Sequence, residues 1–103
     1  MTVYWITFRI AEKTINQRSY EERYEALQAA ILGPAGTYWS EPTSFVAFDS
    51  PQSIDQISSA CKAAIAPSVD LFLIRQMDSR VARICGANAD KDIFRLMPYL
   101  KQI

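Results

Sequence analysis

The chain has 103 residues, half of them hydrophobic and 21% charged, which sets one globular domain over residues 1–103 and argues against disorder. Lys+Arg and Asp+Glu both number 11 and the pI is near 6.2, so no strong non-specific attraction to nucleic acid or an anionic membrane is expected. Histidine is absent, which removes His-based metal sites, Ser-His and Cys-His pairs and the usual near-neutral general base.

Val3 to Ile10 alternates strictly, with Tyr4, Ile6, Phe8 and Ile10 on one face and Val3, Trp5, Thr7 and Arg9 on the other. That period of two predicts a strand with one face on a core. A polar loop over 11–18 leads to Ser19, which with Glu22 forms a capping box that opens a helix. Tyr20, Tyr24, Leu27 and Ile31 recur at helical spacing along it. Gly33-Pro34 stops the helix. Glu41-Pro42 breaks the next stretch into a short strand over 37–40 and a better one over 43–48.

Ser50-Pro51 reads as the N-cap and first residue of a second helix. Its buried stripe is Ile54, Ile57, Cys61, Ala64 and Ile65, and Pro67 ends it. An apolar strand over 70–77 and a shorter one over 81–85 flank a turn at Asp78-Ser79. The tail from Asp90 to Leu100 carries Ile93, Phe94, Met97 and Leu100 at helical spacing and predicts a short helix disturbed by Pro98. The order β-α-β-β-α-β predicts an α+β, ferredoxin-like sandwich. Its antiparallel sheet is backed by two helices on one face, with an extra C-terminal strand or short helix.

Cys61 and Cys85 are isolated in sequence. They read first as buried thiols of a reducing compartment, with a disulfide or a reactive thiol as alternatives. No signal-peptide pattern and no apolar run of membrane-spanning length is visible, so a cytoplasmic protein without a membrane partner is expected. No phosphate-binding loop, metal-ligand cluster or catalytic constellation stands out, and no cofactor is implied. Asp90 and Asp92 suit the start of the last helix, and Asp49 reads as a cap or loop acid.

Arg75, Arg80 and Arg83 gather around a predicted hairpin. With Arg9 they are the candidates for phosphate contacts, against the plainer reading of a solvated edge. Of the aromatics Tyr4, Trp5, Phe8, Tyr38, Trp39, Phe45, Phe48 and Phe72, most read as core rather than as a base-stacking surface, but Trp5 lies opposite the apolar stripe of its strand, where an aromatic marks an interface. Self-association through that face, or through an exposed edge, is therefore expected, with Trp5 and Thr7 the candidate residues of a homodimer interface.

Taken together, several segments resemble the Cas2-like small proteins, in particular the SinR-like group related to Cas2 and VapD. They are the opening Val3-Tyr4-Trp5-Ile6, Trp39 ahead of Thr43-Ser44-Phe45-Val46, the second helix, Asp70-Leu71-Phe72-Leu73, Gly86, and the apolar end from Ile93 to Leu100. The resemblance implies a ferredoxin-like homodimer. In the family's metal-dependent nucleases an Asp ends the first strand of each subunit, so that two acids meet and hold Mg²⁺. Here the matching run is Thr7-Phe8-Arg9-Ile10, and Arg9 stands where that Asp is expected. A guanidinium cannot ligate Mg²⁺, and the nearest acid onward is Glu12. Arg9 is suited instead to an anion, or to pairing with a carboxylate such as Asp49. The expected function is a non-enzymatic binding protein on a Cas2-like dimeric scaffold, its partner a nucleic acid or a protein; the alternative is a metal-dependent nuclease or toxin ribonuclease.

Overall fold

The computed structural model describes residues 1–103. The chain runs β1 (Thr2–Arg9), α1 (Tyr20–Leu32), β2 (Tyr38–Trp39), β3 (Phe45–Ser50), α2 (Ile54–Ala64), β4 (Leu71–Gln76), β5 (Val81–Gly86), α3 (Asp92–Leu96) and β6 (Leu100–Gln102). It is an α+β fold with one six-stranded sheet, ordered β2-β3-β1-β4-β5-β6.

Every neighbouring pair is antiparallel except the last, β5 with β6. The sheet is therefore mixed, which corrects the expectation of a wholly antiparallel one. The cause is the tail. Its helix stops at Leu96, and the chain returns alongside β5, so Leu100 lies in a strand opposite Ala82 rather than on a helix face.

The even positions of β1, with Ile10 just past its end, do what their alternation requires. Tyr4, Ile6, Phe8 and Ile10 are all buried. They join Val46, Phe48, Phe72 and Ile74 of the neighbouring strands beneath Leu27 and Ile31 of α1 and Ile54, Ile57 and Cys61 of α2. Both long helices lie on this face and pack against each other. Each fully buried aliphatic or aromatic side chain here stabilises the fold by about 1.5–3 kcal/mol.

α1 begins as its sequence dictates. The Ser19 hydroxyl accepts from the Glu22 N–H at 3.1 Å, and the Glu22 carboxylate accepts from the Ser19 N–H at 3.1 Å. That carboxylate is held below its ordinary pKa, first by the hydrogen bond from the Ser19 N–H and then by the Ser19 hydroxyl.

α2 does not start at Ser50. β3 continues through Ser50, which pairs with Thr2, and the helix is capped by a second box three residues on. The Ser53 hydroxyl accepts from Gln56 N–H, and Gln56 Oε1 accepts from Ser53 N–H at 2.9 Å. Two capping signals compete here, and strand pairing claims the first.

A buried ion pair locks the loops around this core. Arg23 of α1 and Asp70, just before β4, are both fully buried and meet at 2.9 Å. Every N–H of the guanidinium is used: Nε and Nη2 donate to Asp70, Nη1 to the carbonyls of Lys13 and Arg18, and Nη2 also to that of Ala11. Asp70 accepts further hydrogen bonds from the N–H groups of Ala11 and Ala66. Burial alone raises the Asp70 pKa. The hydrogen bonds from Arg23, Ala66 and Ala11 outweigh that and hold it below the ordinary carboxylate range.

Candidate functional site

The strand register lays out the sheet face away from α1 and α2. One row across the sheet reads Ala82, Arg75, Trp5, Ala47, Trp39; the next reads Ile84, Leu73, Thr7, Phe45. The two halves of this face meet different fates. Over β4, β5 and β6 the C-terminal segment folds back. Ile93, Phe94, Met97 and Tyr99 cover Ala82, Ile84, Leu71 and Leu73 in a second small core. Over β2, β3 and the Trp5 end of β1, the outer face belongs to neither hydrophobic core.

The uncovered half is aromatic. Trp5 stacks on Phe45 with ring centroids 6.0 Å apart and planes at 23°. Trp39 meets the same Phe45 edge-on, also at 6.0 Å, with planes at 75°. These are diagonal cross-strand neighbours, a separation that long aromatic side chains span. Trp5 and Phe45 are half-buried, while Trp39 is 52% and Val3 46% exposed. Beside them a shallow depression of about 220 Å³ is lined by Val3, Thr37, Tyr38, Trp39, Ala47, Phe48 and Asp49.

The patch is electrically quiet. Asp49 lies at its margin, but its carboxylate accepts from the Gly36 and Thr37 N–H groups at 3.0 and 2.7 Å and fastens the β2 loop to β3. Asp49 pairs with Val3 at the far end of β1 from Arg9, so it does not pair with Arg9. The Thr7 hydroxyl donates to the Ser44 carbonyl at 3.0 Å, a partner within its own chain.

The four arginines do not form one cluster. Arg9 is exposed on the open face and donates to the Ala87 carbonyl at 2.8 Å. It lines a second depression of about 280 Å³ between β1, β4 and the α3 segment, with Thr7, Leu73, Ile84, Asn88 and Ile93. Arg75 lies on the same sheet face, its guanidinium 5.4 Å from the Tyr99 ring centroid. Arg80 joins it in a third depression. Arg83 points to the opposite, helix-covered face, where Nε donates to Asp55 of α2 at 3.2 Å.

Cys61 and Cys85 are both free and buried. Burial, with the neighbouring Cys85, pushes the Cys61 thiol up to about 12, and burial raises Cys85 as well. Neither is a thiolate nucleophile at neutral pH. No three Cys, Asp or Glu side chains converge anywhere in the fold. No helix is long and apolar enough to cross a membrane.

Two features escaped the sequence. Trp39 and Phe45 read as core aromatics, yet they belong to the open face. Phe45, Ala47 and Asp49 have the parity opposite to Val46 and Phe48, and that alternation was the available signal. Arg23, on the apolar stripe of α1 between Tyr20 and Leu27, was the available sign of a buried pair. Comparison with family models, with curated proteins and with solved structures finds no match to this chain.

Proposed function

We propose that this chain is a non-enzymatic binding protein that works as a homodimer on a Cas2-like, ferredoxin-like scaffold, its two copies meeting over the uncovered half of the outer sheet face. The observation that carries this is the Trp5–Phe45–Trp39 cluster, left open on a sheet whose other half the chain covers with its own tail. Aromatic side chains of this size bring large apolar areas to an interface. A second copy suits the patch because its centre, Trp5, Phe45 and Trp39, is aromatic and uncharged and the chain's net charge is zero, so no excess of one sign opposes the approach of two copies. Such a contact is isologous and closes at two subunits.

The order β2-β3-β1-β4, antiparallel throughout, supports a ferredoxin-like core to which β5, α3 and β6 are added. Arg9 supports a binding rather than a cleaving role. It ends β1 with a cation engaged by the Ala87 carbonyl, where a Mg²⁺ site needs an oxygen ligand. The test is one preparation, weighed in solution and incubated with labelled RNA and DNA with and without Mg²⁺. A dimer that leaves both nucleic acids intact supports the reading. Cleavage that needs Mg²⁺ and stops with chelator overturns it in favour of a nuclease.

A further inference from the structure

The sheet face has a second unfinished feature, at the end of the β4–β5 hairpin. Arg75, Arg80, Leu96, Pro98 and Tyr99 line an open depression of about 610 Å³. No acidic side chain lines it, and neither guanidinium belongs to an ion pair, although three other arginines of the chain do. Asp78, the acid nearest in sequence, accepts from Gln76 Nε2 at 3.1 Å.

Arg75 is held rather than loose. Its guanidinium lies over the Tyr99 ring, and its Nε is buried without a hydrogen-bond partner. A buried, unpaired donor on a charged group is costly. The cation–π contact favours this placement of the fork, and Arg75 lines the depression with a guanidinium that no ion pair neutralises. Arg80 is exposed on the turn and is free to close on whatever Arg75 holds. Leu96, 77% exposed, and Pro98 give the same depression an apolar lip.

We propose that Arg75 and Arg80 bind a phosphate monoester, with the body of the ligand resting on Leu96 and Pro98. Two guanidinium forks match the double charge and several acceptor oxygens of a phosphate monoester; a carboxylate satisfies only one fork. The site goes beyond the self-association reading and stands whether or not the chain dimerises.

The test is a titration of the whole chain by calorimetry, with inorganic phosphate, a nucleoside monophosphate and acetate as probes at fixed ionic strength. Saturable binding of a phosphate probe is expected, weakened about tenfold or more in Arg75→Gln and in Arg80→Gln, since each removes charge-assisted hydrogen bonds. Arg83→Gln takes the same charge from the other face and leaves binding unchanged. Far-UV circular dichroism confirms that each variant is folded, and Arg80, being exposed, is the safer variant. Tighter binding of the nucleoside monophosphate than of inorganic phosphate supports an ester with a body on Leu96 and Pro98. Equal binding of the two keeps the phosphate site and overturns the role of Leu96 and Pro98. The proposal is overturned if no phosphate probe saturates, if acetate binds as well, or if binding survives both arginine substitutions.

Discussion

Replacing Arg23 by Met, which keeps the length of the stem and removes the charge, should unfold this protein more readily than any surface change. The Asp70 carboxylate would stay fully buried with only the Ala11 and Ala66 N–H groups as donors. In the same step the Lys13 carbonyl would lose its donor, and the Ala11 and Arg18 carbonyls would keep only the N–H groups of Lys13 and Ile15. Removing one partner of a buried ion pair costs about 3–5 kcal/mol. For a chain of this size that lowers Tm by at least about 12 °C. Urea unfolding followed by tryptophan fluorescence and by circular dichroism measures the loss directly.

The same clamp has a pH signature. Asp70 is held below its ordinary pKa in the folded state, so the unfolded chain binds the proton first as pH falls. Its stabilisation is therefore complete above about pH 4 and is lost as pH drops through the lower folded value. Asp70→Asn should be less stable at pH 7 and should show a flatter acid limb below about pH 4. A loss under about 1 kcal/mol for Arg23→Met, or an unchanged acid limb in Asp70→Asn, would refute the reasoning.

Other expectations follow from single sites. Gly86 has φ +119, and a Cβ built on it would lie 1.9 Å from the Asp70 carbonyl oxygen; Gly86→Ala should cost about 3 kcal/mol or more in urea unfolding. Ser53→Ala removes the α2 cap and should cost about 1 kcal/mol in the same experiment. With the Cys61 thiol pushed up to about 12, a thiol reagent at pH 8 should label neither cysteine until the chain unfolds, and rapid labelling of the native protein would contradict the burial described.

Much of the architecture could be read locally. The alternation of β1, the Ser19 box and the stripe of α2 each need only neighbours within about two turns, and all three hold. What failed needed distant partners. Ser50 was taken from α2 because Thr2 pairs with it across the sheet. Leu100 kept a helical spacing, yet Ala82 drew it into a strand. The arginines divide by register: Arg75 pairs with Ala82, which turns Arg83 to the other face. The turn between β4 and β5 sets that register, and composition does not reveal it. The open face was half legible. Trp5 showed itself through β1, but Phe45 and Trp39 read as core until the sheet order set them beside it. Asp70 was hidden because its partner Arg23 is 47 residues away.

The central claim is that two copies meet over Trp5, Phe45 and Trp39, and the mass in solution tests it most directly. Light scattering on a sizing column, over a range of loading concentrations, should give twice the 11.7 kDa of one chain. Trp5→Asp, placing a charge at the centre of the patch, should give a folded monomer. A wild-type chain that stays at 11.7 kDa at every concentration, or a Trp5→Asp variant that remains a dimer, would contradict the account.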